Sequence, residues 1–194
     1  MGTEHGIVSF VVDIEKLERT LFGKIFIRLM ALIMESRFRY KLFGPKKILE
    51  SAGIRQGMKV LEVGCGTGFF TIPAGKMLGN DGLLIAMDML PISVETVANK
   101  VQQANLGNVV QVVKGDALDT KLDKESLDEV ILFGVVPAPM LPMEKLMEEM
   151  HRILRPGGVM AVWPPSWVHR AIVRSGRFRY IVSRNCVSNY QRID

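Results

Sequence analysis

Short runs of apolar residues alternate along the chain with longer segments whose apolar residues recur every three to four positions. Five apolar runs have the length and the β-branched content of buried strands. These predicted strands are Val60–Val63, Leu83–Asp88, Val109–Val113, Leu127–Phe133 and Val159–Trp163. The segments between most of them have the periodicity of amphipathic helices. Such alternation predicts a parallel sheet with helices on both faces.

The helical segments have recognisable starts and stops. Proline lies near the start of three of them, where its missing N–H costs nothing. The predicted helices of this part of the chain are Pro45–Ala52, Phe69–Leu78, Ile92–Asn105, Pro142–Leu154 and Ser166–Arg174. The chain ends with two alternating stretches, Phe178–Arg184 and Val187–Arg192, joined by Asn185-Cys186. This arrangement predicts an antiparallel terminal hairpin.

A further amphipathic helix is predicted over residues 13–35, ahead of Gly44-Pro45. Its apolar stretch of 14 residues contains Lys24 and Arg28, whereas a membrane span needs about 20 apolar residues. We therefore expect an N-terminal helical extension over residues 1–44 and a domain of alternating strands and helices over residues 45–194. The extension fits a lid over a cofactor cleft, a homodimer contact or peripheral contact with a membrane interface.

The glycine-rich segment Val60 to Gly68 is the most informative part of the sequence. A buried strand ends in Glu62-Val63, three glycines follow at every second position, and a helix comes next. Glycine permits unusual backbone angles and lets a ligand approach the main chain closely. A phosphate-binding Walker loop is excluded because Phe69 follows Gly68, and a dinucleotide fingerprint is excluded because it needs glycine at position 69.

Acidic turns at later strand ends complete a pattern. Asp88 ends the second strand, Gly115-Asp116-Ala117 follows the third, and Leu154-Arg155-Pro156-Gly157-Gly158 precedes the fifth. Together with Glu62-Val63-Gly64-Cys65-Gly66-Thr67-Gly68, this pattern resembles the class I S-adenosylmethionine-dependent methyltransferases. The resemblance covers residues 45–194. Within the family, it is to the small bacterial and archaeal enzymes similar to quinone-biosynthesis and phospholipid methyltransferases.

The resemblance implies a Rossmann-like α/β fold with a seven-stranded, mostly parallel sheet of order 3-2-1-4-5-7-6. It also implies a site for S-adenosyl-L-methionine. Glycines bring its methionine and ribose parts close to the backbone, Glu62 orders the loop, Asp88 holds the ribose, and the Asp116 turn contacts the adenine. The implied cofactor-binding residues are Glu62, Gly64, Cys65, Gly66, Gly68, Asp88, Met89, Asp116, Ala117, Phe133 and Gly134.

Composition and charge narrow the setting. The 194 residues include 48% hydrophobic side chains, enough for a buried core, and only two cysteines, so a reduced, cytoplasmic location is expected. No cysteine or histidine cluster has metal-ligand spacing. Net charge is +4 over residues 1–57, −6 over 58–150 and +7 over 151–194. The acidic middle suits a cationic sulfonium, and the basic ends suit an anionic partner.

We expect direct methyl transfer to a small-molecule or lipid-like acceptor, in which orientation and exclusion of water supply most of the catalysis. His151 and His169 are candidate bases, although the catalytic residues are not identified by the sequence. Cys65 is expected to be a small packing residue. Two other readings stay open: a nucleic-acid methyltransferase or binder that uses the arginine-rich C-terminal region, and a cofactor-binding protein without transferase activity.

Overall fold

In the computed structural model, the described residues are 44–135, 142–164 and 168–194. They form one seven-stranded sheet with helices on both faces. The strands are β1 Lys59–Val63, β2 Leu83–Asp88, β3 Val110–Lys114, β4 Leu127–Phe133, β5 Leu154–Trp163, β6 Phe178–Arg184 and β7 Val187–Arg192. The helices are α1 Pro45–Ala52, α2 Thr71–Leu78, α3 Pro91–Gln103, α4 Met143–Ile153 and α5 Val168–Arg174. The helix predicted over 13–35 lies outside the described residues.

The strands follow the order β3-β2-β1-β4-β5-β7-β6, so the predicted topology is confirmed. The first five strands pair in parallel, while β7 pairs antiparallel with both β5 and β6. The strand order reverses at β1, which lies between β2 and β4. Ligands of open α/β sheets bind beyond the carboxyl ends of the strands at such a reversal.

Two hydrophobic cores cover the two faces of this sheet. On one face, residues such as Val60 and Leu84 pack beneath α1, α2 and α3. On the other face, residues such as Leu61 and Leu132 pack beneath α4 and α5. The central strands are therefore apolar on both sides, which explains why β1 and β4 appear in the sequence as continuous apolar runs.

Most predicted boundaries agree with the structure within two residues, and the start of β5 differs most. Strand β5 begins at Leu154, five residues earlier than predicted, because Leu154 already pairs with Leu127 before the register shifts in the neighbouring strand. Helix α2 begins at Thr71, two residues later than predicted, because Phe69 and Phe70 form the turn that follows the glycine loop. Strand β3 lies one residue later along the chain than predicted.

The terminal hairpin has the predicted strands. Asn185 and Cys186 both have positive φ, at 47° and 60°, the backbone that two-residue hairpin turns with the twist of a β-ribbon require. The hairpin also holds α1 in place. Asn185 Nδ2 donates to Ser51 Oγ at 2.8 Å, and Asn189 Nδ2 donates to the Ser51 carbonyl oxygen at 2.9 Å.

The amino ends of the central strands are joined by polar side chains. One oxygen of Asp128 accepts the Lys59 backbone N–H at 2.7 Å, and the other accepts Arg155 Nε at 2.6 Å. At the last strand, the buried Arg192 donates to the Leu154 carbonyl and, at 2.9 Å, to Glu125. These contacts tie β1, β4, β5 and β7 together at the end of the sheet opposite the glycine loop.

The connection between β3 and β4 is attached to α4 by the buried carboxylate of Glu149. Glu149 Oε1 accepts both the backbone N–H and the hydroxyl of Thr120, at 2.9 and 2.6 Å, and Arg152 donates to both carboxylate oxygens at 2.8 Å. The hydrogen bonds from Arg152, helped by those from Thr120, lower the pKa of Glu149 to about 2. The ionised form of Glu149 is therefore the form that the fold stabilises.

Replacing Glu149 by Gln should lower the free energy of unfolding by about 1–3 kcal/mol at pH 7, because Arg152 and Thr120 lose a charged acceptor. The wild-type contribution is present above pH 4.5 and is lost as the pH falls from about 4.5 to about 2, since the folded-state pKa is depressed. Urea unfolding between pH 2 and pH 7 measures both effects. The matched control is Glu148→Gln, at the exposed neighbouring position. Equal stability of the two variants across this range would contradict the assignment.

Candidate active site

The glycine loop lies at the carboxyl end of β1, at the reversal of strand order. Gly64, Gly66 and Gly68 have φ values of 70°, 54° and 82°, which side chains other than glycine rarely adopt. The loop is tied to the neighbouring strand because the backbone N–H groups of Gly64 and Cys65 both donate to the Met87 carbonyl oxygen, at 2.8 and 3.0 Å. The main chain is therefore bent back on itself, as the sequence predicted.

Asp88, the last residue of β2, fixes the middle of this loop. Its Oδ2 accepts the backbone N–H of Gly66 at 2.9 Å, and its Oδ1 accepts the backbone N–H of Leu90, also at 2.9 Å. A carboxylate has about four acceptor positions, so these two bonds leave capacity for a pair of ligand hydroxyls. The carboxylate is thus held in one orientation beside the loop.

Glu62 lies beneath the loop and is almost completely buried, with 2% of its surface exposed. Its Oε2 accepts the hydroxyl of Thr71, the first residue of α2, at 2.6 Å. Burial raises the pKa of Glu62 to about 8, the nearby charge of Asp88 adds to this rise, and the Thr71 hydrogen bond partly opposes it. Glu62 is therefore mostly protonated at neutral pH in the absence of a neighbouring cation.

The end of β3 approaches the same place. The backbone N–H of Gly115 donates to the Asp88 carbonyl oxygen at 3.0 Å, which brings the following Asp116 and Ala117 to this end of the sheet. Asp116 is exposed, and its Oδ1 accepts the backbone N–H of Leu118 at 2.9 Å, whereas Ala117 is buried. Met89 is exposed at 36%, beside these strand ends.

The end of β4 completes the group of strand ends. Phe133 is buried, and the following Gly134 has a φ of 75° and donates its N–H to the Trp163 carbonyl oxygen at 2.8 Å. Val135 then packs against the glycine loop: a Cβ added at Gly64 would lie 2.6 Å from Val135 Cγ2. All eleven predicted cofactor-binding positions therefore lie in or beside the turns at the carboxyl ends of β1 to β4.

An aromatic cluster beside the loop was not predicted. The Phe70 ring centroid lies 4.8 Å from that of Phe69, 4.9 Å from that of Phe133 and 5.7 Å from that of Trp163. The rings meet edge to face, a favourable geometry for aromatic pairs. The Phe69-Phe70 pair after the last loop glycine was the available signal, but the partners come from β4 and β5 and depend on the fold.

Two further contacts were missed because their partners are distant in sequence. Thr71 binds Glu62, and Lys100 of α3 donates from Nζ to the Thr67 carbonyl oxygen at 2.9 Å. Thr67 Oγ1 is buried and has no hydrogen-bond partner among the described residues. Helix α2 thus binds Glu62 at the base of the loop, and helix α3 binds the loop backbone at Thr67.

Cys65, expected to be a packing residue, and the two candidate bases His151 and His169 all contact other parts of the fold. Burial raises the pKa of the Cys65 thiol above its ordinary value, and the charges of Glu62 and Asp88 raise it further, so the thiol stays neutral. His151 Nε2 lies 2.7 Å from the Ile193 carbonyl oxygen. His169 Nδ1 lies 2.9 Å from the Tyr190 hydroxyl, and its ring packs on Tyr180, so it engages β6 and β7.

Metal and membrane features were sought in the same residues. Within ranges 44–135, 142–164 and 168–194, the His, Cys, Asp and Glu side chains form no group of three that could hold a metal ion. None of the helices in those ranges is both long enough and apolar enough to cross a lipid bilayer.

The arrangement suits a nucleoside that carries a positively charged tail. Asp88 offers acceptors for paired hydroxyls, the positive-φ glycines expose main chain for close approach, and the acids of this region favour a cation. Adenosyl sulfonium cofactors combine these features. The residues present therefore fit the cofactor that the sequence resemblance implies.

Comparison with known proteins agrees with this fit. Residues 60–158, just over half of the chain, match the family model described as a methyltransferase domain. Among curated proteins, a demethylmenaquinone methyltransferase of Staphylococcus aureus is 34% identical over 116 residues, and that of Staphylococcus carnosus is 33% identical over 115. Each match covers 59% of this chain and 46% of the relative, so the chain aligns with about half the length of these relatives.

Solved structures share the fold. A SAM-dependent methyltransferase from Aquifex aeolicus has a TM-score of 0.74 at 24% identity, covering 84% of this chain and 97% of that one. Geranyl diphosphate C-methyltransferase from Streptomyces coelicolor, solved with S-adenosyl-L-homocysteine, has a TM-score of 0.64 at 15% identity, covering 75% and 64%. The predicted family and its cofactor, S-adenosyl-L-methionine, are confirmed: the chain belongs to the methyltransferase-domain family of class I S-adenosylmethionine-dependent enzymes.

Proposed function

We propose that the protein transfers the methyl group of S-adenosyl-L-methionine to a small, lipid-like acceptor, with a polyprenylated quinol as the first candidate. One observation carries the proposal. At the carboxyl ends of the central strands, Asp88 is hydrogen-bonded to the glycine loop, and the end of β4 lies beside them. The similarity to demethylmenaquinone methyltransferases supports the choice of acceptor. Free thiols at Cys65 and Cys186 are consistent with a reaction in the cytoplasm.

Each part of the cofactor has a proposed partner. Asp88 binds the ribose hydroxyls, and Asp116 with Ala117 contacts the adenine, beside Met89. The backbone of Gly64, Cys65, Gly66 and Gly68 borders the methionine part, and Glu62 and the Phe133-Gly134 backbone lie toward its ammonium group. When bound, the sulfonium supplies an activated methyl group. The chain's own contribution is to orient this group and to exclude water from it.

The aromatic cluster supports an apolar or aromatic acceptor. The half-buried Trp163, at the end of β5, packs on the buried rings of Phe70 and Phe133, beside the Gly134 turn that we propose borders the methionine part of the cofactor. Aromatic faces attract cations and offer flat apolar surface to a ring. The half-buried Trp163 offers a quinol ring an apolar contact, whereas a highly charged acceptor would lose hydration beside it.

The two other functions from the sequence are less well supported. A nucleic-acid site would use the arginines of the C-terminal region, but Arg192 is buried against Glu125 and the Leu154 carbonyl and serves the fold. A cofactor-binding protein without activity would make the same cofactor contacts and is distinguished from an enzyme by an assay of methyl transfer.

If Asp88 binds the ribose hydroxyls, replacing it should reduce the protein's preference for a ligand that has these hydroxyls over one that lacks them. Wild-type protein should bind S-adenosylhomocysteine about 10- to 100-fold more tightly than its 2′,3′-dideoxy analogue, the range expected for hydrogen bonds to a charged group. In Asp88→Asn this ratio should fall below about threefold, because the charged acceptor is gone. Isothermal titration calorimetry measures all four affinities.

Asp81→Asn, at an exposed position before β2, is the matched control and should keep the wild-type ratio. Because the ratio compares two ligands on one protein, a general disturbance of the loop cancels from it. If Asp88→Asn keeps the wild-type ratio of the two affinities, the ribose does not bind at Asp88.

Burial of Glu62 predicts a pH dependence of stability. Its folded-state pKa is raised to about 8, so the folded protein holds a proton that the unfolded chain releases near pH 4.5. Stability of the ligand-free protein should therefore fall as the pH rises from about 4.5 to about 8, by up to about 1.4 kcal/mol per pH unit. Glu62→Gln keeps an acceptor for Thr71 and should reduce this fall, while the part that comes from the buried Glu129, whose pKa is also raised, should remain.

Urea unfolding at pH 5, 7 and 9 tests the Glu62 prediction. Glu95→Gln, an exposed position on α3, is the control and should follow the wild type. The same pH slope in Glu62→Gln as in the wild type would mean that another group takes up the proton.

The acceptor is tested directly. Purified protein with methyl-labelled S-adenosylmethionine should label a 2-polyprenyl-1,4-naphthoquinol in an organic extract, and should not label phosphatidylethanolamine or an oligonucleotide. If the protein binds the cofactor but labels none of these three acceptors, the result would favour a cofactor-binding protein without transferase activity. Labelling of the oligonucleotide alone would replace the lipid-like acceptor by a nucleic acid.

A further inference from the structure

The two halves of the glycine loop are held by different elements. In the first half, the backbone N–H groups of residues 64–66 donate to β2, at the Met87 carbonyl oxygen and at Asp88 Oδ2. In the second half, the Thr67 carbonyl oxygen accepts a hydrogen bond from α3, and Gly68 packs on side chains of the same helix. The shape of the loop therefore depends on α3 as well as on β2.

Lys100 is the residue of α3 that contacts the second half of the loop twice. Its Nζ donates to the Thr67 carbonyl oxygen at 2.9 Å. A Cβ added at Gly68 would lie 3.4 Å from Val97 Cγ2 and 3.8 Å from Lys100 Cδ, so the loop backbone packs directly on the stem of this lysine. Thr67 Oγ1 is buried and has no hydrogen-bond partner among the described residues, so Thr67 is bound through its carbonyl oxygen and not through its hydroxyl.

Lys100 reaches the loop from outside the proposed cofactor site. Helix α3 begins at Pro91, shortly after the strand end that carries Asp88, and Lys100 lies about 13 Å further along the helix axis. Side chains of a helix point back toward its N-terminus, which brings the Lys100 ammonium up to the loop. Lys100 therefore acts on the loop backbone and is remote from the strand ends that border the cofactor.

A cavity of about 350 Å³ lies beside this contact, between the start of α2 and the end of α3. Its walls include Thr67 and Gly68 of the loop, Ile72 of α2, and Lys100 and Gln103 of α3. The second half of the loop thus has space to move into, on the side away from the sheet. The hydrogen bond from Lys100 opposes that movement.

We propose that Lys100 is a positioning residue for the cofactor: by binding the Thr67 carbonyl oxygen, it keeps the second half of the glycine loop against the methionine part. The inference rests on the proposed function, which places that part along the loop backbone. A misplacement of about 1 Å at such a site costs up to about 100-fold in rate. Asp88 and Asp116, the proposed partners of the ribose and the adenine, keep their own contacts, so Lys100 affects one end of the cofactor.

Calorimetry with two ligands tests the inference. S-adenosylhomocysteine carries the amino-acid part of the cofactor, and adenosine lacks it. Lys100→Met should bind S-adenosylhomocysteine about tenfold more weakly than the wild type, the size expected for a lost hydrogen bond from a charged donor, and adenosine less than about twofold more weakly. Lys100→Arg keeps a cationic donor and should stay within about threefold of the wild type for both ligands.

The matched control is Lys76→Met, which removes an exposed lysine from the neighbouring helix α2 and should bind both ligands as the wild type does. Binding of adenosine by each variant shows that it is folded. The inference is overturned if Lys100→Met binds S-adenosylhomocysteine as the wild type does, or if it weakens both ligands equally. It is also overturned if Lys100→Arg binds S-adenosylhomocysteine no better than Lys100→Met.

These outcomes contradict only the role of Lys100. A wild-type protein that does not bind S-adenosylhomocysteine would instead contradict the proposed cofactor site, and this inference with it.

Discussion

The site depends on one carboxylate, Asp88, which connects three chain segments. Its side chain accepts the backbone N–H groups of Gly66 and Leu90, and its carbonyl oxygen accepts that of Gly115. The glycine loop, the start of α3 and the turn after β3 are therefore positioned by the same residue. Hydrogen bonds to a charged acceptor are stronger than those between neutral groups, so an acid holds this junction better than an amide would.

Three buried glutamates show how position determines protonation. Glu149 has Arg152 beside it and stays ionised. Glu129 lies on β4 with Oε1 lacking a hydrogen-bond partner among the described residues, and burial raises its pKa well above the ordinary value. Glu62 has one hydroxyl partner and lies under the ligand loop. Of the three, Glu62 lies under the loop that we propose holds the cofactor, so a bound cation there would favour the ionised form and release a proton.

Local patterns in the sequence were sufficient for most of the fold. Apolar runs predicted the strands, and the alternation of Phe178–Arg184 and Val187–Arg192 predicted a hairpin that the structure confirms in both bounds. The early start of β5 could not be predicted, because it depends on pairing of Leu154 with Leu127, and such pairing is a property of the folded chain. Strand topology came from family resemblance, since periodicity alone does not specify strand order.

For the candidate site, too, the sequence predicted the residues with a local pattern and missed the contacts that depend on packing. The acids at the strand ends and the glycines were identified because their spacing from each strand is visible in the sequence. Their supports were not, because Thr71, Val135 and Lys100 reach the loop through packing. The aromatic cluster was missed for the same reason, since its rings come from three segments that meet only at the end of the sheet.

The two ends of the sheet have different kinds of polar contact. The contacts at the amino ends stabilise the fold, and those at the carboxyl ends leave hydrogen-bond acceptors available to a ligand. At the amino ends, Asp128 uses both of its oxygens on the Lys59 backbone and Arg155, which locks β1, β4 and β5 together. At the carboxyl ends, Asp88 is held by two backbone N–H groups and still has acceptor capacity. A ligand can therefore bind there without breaking a contact that the fold requires. Because the strands are locked at the far end, the turns at the near end can adjust to a ligand while the sheet keeps its geometry.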